Sequence, residues 1–140
     1  METIYLDHAA TTPMHPEAIR VMTDVMNDTF GNPSSIHQFG RAARKRMDDS
    51  RKVLADSIRA SIDEIIFTSG GTEADNSAIF SAVQALRDKG NHIITSEIEH
   101  HAVLHTCEEL EKHGFDVTYL PVDELGRVSV DSVKQALRDD

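Results

Sequence analysis

The spacing of apolar residues predicts two helices in the first half of the chain. Pro16 and Glu17 are typical of a helix start, and Ile19, Met22 and Met26 recur on one face until Gly31-Asn32-Pro33 interrupts the pattern. A longer helix is predicted from near Ser35 to Ile58. Its apolar stripe consists of Ala43, Met47, Ser50, Leu54 and Ile58, and its other face carries Arg41, Arg44, Lys45, Arg46 and Arg51.

The second half of the chain alternates between short apolar runs and helical patterns. The predicted elements are strand 64–68, helix 72–88, strand 92–95, helix 101–113, strand 115–120 and a last helix that Asp131 caps and that continues through Leu137. Strands that alternate with helices are typical of a parallel sheet, because parallel strands need crossover connections. The predicted fold class is therefore α/β, with a mainly parallel sheet and flanking helices.

Composition narrows the classes of protein that the chain can represent. Its 140 residues are 39% hydrophobic and 27% charged, which favours a globular domain over a disordered chain. No apolar run reaches the roughly 20 residues of a membrane span, and no signal-peptide pattern is visible. A net charge of −10 argues against direct nucleic-acid binding by this segment. Because the single cysteine excludes an internal disulfide framework, we expect a reducing, cytoplasmic location.

The order of elements also predicts that the sequence is the front part of something larger. Asp139 and Asp140 directly follow the last predicted helix. A parallel α/β unit normally continues from such a helix into another strand, and a sheet of three or four strands would leave an open edge.

The turn Ser69-Gly70-Gly71, followed by Thr72, is the strongest candidate for chemistry. A predicted strand leads into two glycines and then directly into a helix, whose first N–H groups have no partner within the helix. Such a turn can bind a phosphate. It is neither GxxxxGK[ST] nor GxGxxG, so it matches no common nucleotide motif. The alternative is a plain glycine-rich turn in which Thr72 only caps the helix.

Histidines follow the next predicted strand, at the same edge of the sheet. His100 stands at the turn into the helix, where its ring could face a ligand bound at Gly71 and Thr72; the alternative is that it only caps the helix. His101 and His105 are four residues apart, with Glu108 one turn on, which permits a metal site. The HExxH pattern and a clear third ligand are missing, so we predict a solvated helix face and no metal. Cys107 is expected to be a buried, inert helical thiol.

Four segments, in this order and spacing, resemble the cysteine desulfurases. They are Tyr5-Leu6-Asp7-His8-Ala9-Ala10-Thr11-Thr12-Pro13, Phe30-Gly31-Asn32-Pro33-Ser34-Ser35 with His37 and Gly40, Ile65-Ile66-Phe67-Thr68-Ser69-Gly70-Gly71-Thr72-Glu73-Ala74-Asp75-Asn76, and Glu99-His100-His101-Ala102-Val103-Leu104. The resemblance extends from residue 4 to the end of the chain. One departure is His101, where many relatives have lysine, and we expect it to be a surface difference.

The resemblance implies part of the large domain of a fold-type I enzyme that uses pyridoxal 5′-phosphate (PLP). Gly71 and Thr72 would bind the cofactor phosphate, and His100 would stack on the pyridine ring and assist proton transfer. The loop His8–Thr11 would lie near the substrate. Residues 1–15 would pack with a small domain otherwise absent, and residues 16–140 would form the N-terminal portion of the PLP-binding large domain.

The implied activity converts L-cysteine to L-alanine and passes the sulfur on as a persulfide for iron–sulfur cluster assembly or tRNA thiolation. The implied partners are a second copy in a homodimer, a sulfur-acceptor protein and the remaining C-terminal part of the enzyme, in cis or as a second chain.

The 140 residues lack several groups that the family's chemistry needs. The Schiff-base lysine, the carboxylate that pairs with the pyridine nitrogen and the persulfide cysteine all come later in family members. The five lysines of this sequence lie in helical surface contexts, so we expect the isolated chain to be inactive. The alternative is a non-catalytic, truncated phosphate-ligand or protein-interaction module derived from the same fold.

Overall fold

A computed structural model describes residues 3–139, which divide into two compact units between Ile66 and Phe67. The first unit contains helices α1 (Pro16–Asp28) and α2 (Gln38–Ile58) and a 3-10 helix (Ile62–Glu64). The predicted first helix is confirmed with its expected start. His15 caps α1, because its Nδ1 atom accepts a hydrogen bond from the backbone N–H of Glu17 at 3.2 Å.

Helix α2 begins three residues later than the pattern predicted and ends at the predicted residue. His37 is its N-cap, and its Nδ1 atom accepts from the N–H of Gly40 at 3.4 Å. Residues 32–35 instead form a turn in which the N–H of Ser35 donates to the carbonyl of Asn32 at 2.9 Å. Gly40 packs so closely on this turn that an added Cβ would lie 2.2 Å from the Ser35 carbonyl oxygen.

The predicted strand at residues 64–68 is wrong. The Glu64 carboxylate accepts from the backbone N–H and the hydroxyl of Ser61, at 2.7 and 2.8 Å, and this closes the 3-10 helix. Residues 65–68 have no regular structure, and Ile66 is 80% exposed. An apolar run favours burial, but a strand also requires hydrogen bonds from a neighbouring strand. Among residues 3–139 the one sheet pairs two other strands and leaves out this segment.

The second unit contains helices α3 (Gly71–Leu86), α4 (His101–Lys112) and α5 (Val130–Ala136), with strands β1 (His92–Ser96) and β2 (Asp116–Leu120). The two strands pair in parallel, with His92 opposite Asp116 and Ser96 opposite Leu120. Helix α4 buries one face on this unit through Ala102, Thr106, Cys107 and Leu110. The α/β fold class, with helices flanking a parallel sheet, is confirmed, although the described sheet has two strands.

The last helix begins with a different cap from the one predicted. The Ser129 hydroxyl accepts from the N–H of Ser132 at 2.9 Å, so Ser129 is the N-cap and Asp131 lies in the first turn. The first-turn carboxylate still interacts favourably with the positive end of the helix dipole. Within residues 3–139, no helix combines the length and the apolar character that crossing a membrane requires.

Candidate functional site

The glycine turn leads directly into α3 and leaves the start of this helix open. The first helical hydrogen bond runs from the N–H of Ala74 to the carbonyl of Gly70 at 3.1 Å, so the N–H groups of Gly71, Thr72 and Glu73 precede the helical ladder. A Cβ added at Gly70 or Gly71 would meet no atom within 4 Å. A ligand can therefore approach the backbone closely at the positive end of the helix.

Glu73 stabilises the shape of this turn from inside the helix. Its Oε2 atom accepts from the backbone N–H of Ser69 at 2.7 Å and from the Ser69 hydroxyl at 2.5 Å. These two hydrogen bonds, the one from the hydroxyl first, lower the pKa of the Glu73 carboxyl from its ordinary value. The Thr68 hydroxyl also donates to the carbonyl of Gly70 at 3.1 Å. The turn is thus held by its own side chains.

His100 is placed by the carboxyl end of β1. The Ser96 hydroxyl donates to Glu99 at 2.8 Å, and the N–H of Glu97 donates to the carbonyl of Leu120 at 3.0 Å. His100 then caps α4, since its Nδ1 atom accepts from the N–H of Ala102 at 3.0 Å. Because Nδ1 acts as an acceptor, the neutral ring carries its proton on Nε2. The capping role is therefore real, and the Nε2 side of the exposed ring remains available to a ligand.

Asn76 connects the start of α3 with the start of α4. Its side-chain nitrogen donates to the carbonyl of Thr72 at 2.7 Å and to the carbonyl of Ala102 at 3.3 Å. Its Oδ1 atom lies 2.7 Å from the hydroxyl of Thr106. Asn76 thus links Thr72, in the first turn of α3, with Ala102, in the first turn of α4. The sequence expected the two turns to meet after successive strands, but residues 65–68 before the glycine turn form no strand.

These residues fit a phosphorylated aromatic cofactor. The open backbone at Gly71, the exposed Thr72 and the positive end of α3 are donor groups suited to a phosphate. The imidazole of His100, at the neighbouring helix start, is a flat ring that can stack on an aromatic plane. PLP has both a phosphate and an aromatic ring. The resemblance assigned the phosphate to Gly71 and Thr72 and the ring to His100.

The loop His8–Thr11 belongs to the first unit and is held by Tyr5. The Tyr5 hydroxyl lies 3.0 and 3.2 Å from the carbonyl oxygens of Asp7 and Thr11 and donates its single proton to one of them at a time. The Tyr5 ring meets the His8 ring edge-on, with centroids 5.0 Å apart. The N–H of Ala10 closes the loop on the carbonyl of Asp7 at 3.1 Å. These contacts hold the loop in a defined conformation.

Helix α4 also carries His101, His105 and Cys107. The rings of His101 and His105 stack with centroids 5.1 Å apart, and residues 3–139 contain no group of three or more metal-ligating side chains. Cys107 is 1% exposed. Burial, and then the negative charge of Glu111, raises the pKa of its thiol, which disfavours the reactive thiolate.

The sequence assigned no role to Asn76 or Glu73. Glu73 lies four residues after Ser69, and this spacing was the one available signal. Asn76 has one local partner, Thr72, four residues before it. Its partners Ala102 and Thr106 are 26 and 30 residues away along the chain, so the sequence spacing does not reveal that it links two helices.

The chain belongs to the aminotransferase class-V family, which matches residues 4–140. It is 61% identical over 140 residues to a Bacillus subtilis (strain 168) protein that bears the name of an IscS-type cysteine desulfurase. It is 53% identical over 139 residues to the cysteine desulfurase IscS of Methanosarcina thermophila. These matches cover 100% and 99% of the chain but 37% and 34% of the relatives, so the chain spans about a third of their length.

Solved structures agree with this family. A NifS-like protein superposes with a TM-score of 0.86 and 34% identity, over 94% of this chain and 36% of that one. A structure described as SspA in complex with cysteine superposes with a TM-score of 0.86 and 39% identity, over 97% of this chain and 39% of that one. The expected family and fold are therefore confirmed.

Proposed function

We propose that this protein is a PLP-dependent cysteine desulfurase and that residues 1–140 contribute its phosphate-binding turn and its ring-stacking histidine. The observation that supports the proposal is that the Asn76 side chain bonds both to the carbonyl of Thr72, in the first turn of α3, and to the carbonyl of Ala102, two residues after His100. The names of the relatives supply the reaction class, and the name of one similar structure includes cysteine.

Gly71 and Thr72 bind the phosphate in this proposal. Backbone N–H groups at the start of α3 donate to its oxygens, and the positive end of the helix favours its negative charge. The Thr72 hydroxyl adds a further donor. With a net charge of −10, the chain as a whole repels anions, so these local donors provide the attraction.

His100 orients the cofactor ring and acts through Nε2. Nδ1 is occupied by the N–H of Ala102, so the neutral ring offers a donor at Nε2. Proton transfer at Nε2 requires Nδ1 to take up a proton and to release Ala102. The cap therefore favours a role for His100 in orienting the cofactor ring. Proton transfer by His100 is limited to times when the hydrogen bond from Ala102 N–H is broken.

PLP, when bound, supplies an electron sink that labilises bonds of an amino acid joined to it. The overall reaction balances as L-cysteine plus a protein thiol giving L-alanine plus a protein persulfide. The C–S bond of cysteine breaks, an S–S bond forms and the thiol proton remains with the products. Buried Cys107 is not that thiol in our proposal, and none of the five lysines is assigned to the cofactor. We expect residues 1–140 by themselves to be inactive.

The remaining assignments are part of the same proposal. Residues 1–15 pack with a small domain, and residues 16–140 form the N-terminal portion of the PLP-binding large domain. The enzyme is a cytoplasmic homodimer, and the loop His8–Thr11 lies near the substrate. A sulfur-acceptor protein receives the persulfide for iron–sulfur cluster assembly or tRNA thiolation.

The test uses the protein encoded by the complete reading frame, purified and titrated with PLP. We expect a visible absorption band of protein-bound cofactor and release of alanine from L-cysteine in the presence of a thiol. Gly71→Ala is the sharpest variant, because the added methyl has open space and alanine has a higher helix propensity than glycine. It should fold at least as stably as wild type and bind PLP more weakly. Absence of bound PLP and of alanine with the wild-type protein would refute the proposal.

A further inference from the structure

We infer that Asn76 is a positioning residue that holds the phosphate turn and the His100 turn in one fixed geometry. This inference rests on the proposed function and assigns to Asn76 a role in setting where the cofactor lies. Asn76 acts through Thr72 and Ala102 and does not itself belong to the binding groups.

The partners of Asn76 determine the orientation of its amide. The two carbonyl oxygens of Thr72 and Ala102 can only accept, so the NH2 group must face them and Oδ1 must face Thr106. The Thr106 hydroxyl lies 2.7 Å from both Asn76 Oδ1 and the Ala102 carbonyl, and it donates its single proton to one of the two at a time. The Asn76 NH2 group therefore has acceptors on both α3 and α4, and Oδ1 accepts from Thr106 when the hydroxyl proton turns towards it.

The position of these partners gives Asn76 its influence on the site. Thr72 is the second residue of α3, and its carbonyl belongs to the turn that carries the proposed phosphate donors. Ala102 donates its own N–H to Nδ1 of His100 and accepts from Asn76 through its carbonyl. A shift of Ala102 therefore moves the residue that orients the His100 ring.

Burial makes the connection costly to lose. Thr106 is 2% exposed and Ala102 is 5% exposed, while Asn76 is half-buried. Water reaches the buried ends of these bonds poorly, so removing the amide leaves carbonyl and hydroxyl groups without equivalent partners. The helix starts are then free to move relative to each other.

The first test compares Asn76→Leu with Asn91→Leu in the protein encoded by the complete reading frame. Asn91, which directly precedes β1, is a matched control. Its side-chain amide also donates to a backbone carbonyl, that of Gly114, at 3.2 Å. We expect Asn76→Leu to weaken PLP affinity about tenfold or more and to change the visible circular dichroism of the bound cofactor, as misplacement of binding groups does. Asn91→Leu should leave both readouts at the wild-type values.

Amide hydrogen exchange tests the connection without any cofactor. The probes are the N–H of Ala74 and the N–H of Leu104, which donate in the first turns of α3 and α4. Both should exchange faster in Asn76→Leu than in Asn91→Leu. Unchanged exchange at both probes would overturn the inference.

A second pair of variants keeps the test sharp if Asn76→Leu fails to fold. Thr106→Val keeps the shape and removes the hydroxyl, and Thr106→Ser keeps the hydroxyl. Thr106→Val should shift PLP affinity and the visible circular dichroism in the same direction as Asn76→Leu. Thr106→Ser should keep both at the wild-type values.

The outcomes separate the two proposals. A wild-type protein that binds no PLP overturns the proposed function and this inference together. Wild-type PLP binding that Asn76→Leu leaves unchanged overturns the inference alone. Equal losses in Asn76→Leu and Asn91→Leu, or in Thr106→Val and Thr106→Ser, also overturn it, because they indicate general loosening.

Discussion

The Nδ1 atom of His100 accepts a hydrogen bond from the backbone N–H of Ala102 at 3.0 Å. The same imidazole is therefore both the N-cap of α4 and the proposed partner of the cofactor ring. The two roles use different atoms, since capping occupies Nδ1 and leaves Nε2 and the ring face. Variants at this position can separate stability from turnover.

Replacement of His100 should distinguish these roles. His100→Ala removes the cap and the ring, so we expect a loss of about 1 kcal/mol in the free energy of unfolding together with slower turnover. His100→Asn keeps a capping oxygen and should recover most of the stability but not the turnover. Urea unfolding and alanine release measure the two effects. Full turnover in His100→Asn would contradict the stacking role.

Loss of the Thr72 hydroxyl should weaken cofactor binding. A hydrogen bond to a charged group contributes about 2 kcal/mol, so Thr72→Ala should bind PLP more weakly by that order. Thr72→Ser retains the hydroxyl and is the control. Equilibrium titration with PLP measures both affinities, and equal affinity for Thr72→Ala and wild type would remove Thr72 from the phosphate site.

The stability that Glu73 gives to the glycine turn should depend on pH. The pKa of its carboxyl is lower in the folded protein, so its stabilising effect is present above the ordinary value of 4.5 and is lost as pH falls through the folded pKa. Glu73→Gln should therefore be less stable than wild type at neutral pH, and this difference should shrink in acid. Chemical unfolding at both pH values measures the difference. A gap that stays constant with pH would contradict the role of the charge.

Gly40 should tolerate no side chain, in contrast to Gly71. An added Cβ would lie 2.2 Å from the Ser35 carbonyl oxygen and 2.6 Å from that of Asn32, and these backbone atoms cannot move away easily. We expect Gly40→Ala to cost about 1–3 kcal/mol of stability. Gly71→Ala is the matched control with open space. Thermal unfolding of the two variants tests the contrast, and equal melting temperatures would show that the turn before α2 packs more loosely.

Cys107 should resist alkylation in the folded protein. It is 1% exposed, and burial raises the pKa of its thiol, so little thiolate forms at neutral pH. Iodoacetamide should label the Cys107 peptide slowly under native conditions and rapidly in urea, as peptide mass mapping would show. Rapid native labelling would mean that α4 opens readily.

The sequence predicted much of the fold because local signals mark helix starts and short strands. Pro16, the period of α1 and the strands β1 and β2 were all visible from spacing alone. The glycines before Thr72 and the histidine after β1 were likewise marked as candidate site residues, and their role in binding stays a prediction. The error at residues 64–68 came from the same rules, because an apolar run shows a tendency to be buried and does not show which strand will pair with it.

What the sequence determined by itself was the family, the residue types at the two turns and the order of the helices with β1 and β2, since these depend on local chemistry. Only the tertiary structure decided that Ser129 caps α5, that His100 offers Nε2 and that Asn76 joins Thr72 to Ala102. The two caps are local hydrogen bonds, and they depend on the backbone conformation that precedes each helix. For Asn76 the physical reason is distance along the chain. A hydrogen bond between Asn76 and Ala102, 26 residues apart, exists only after α3 and α4 have packed side by side.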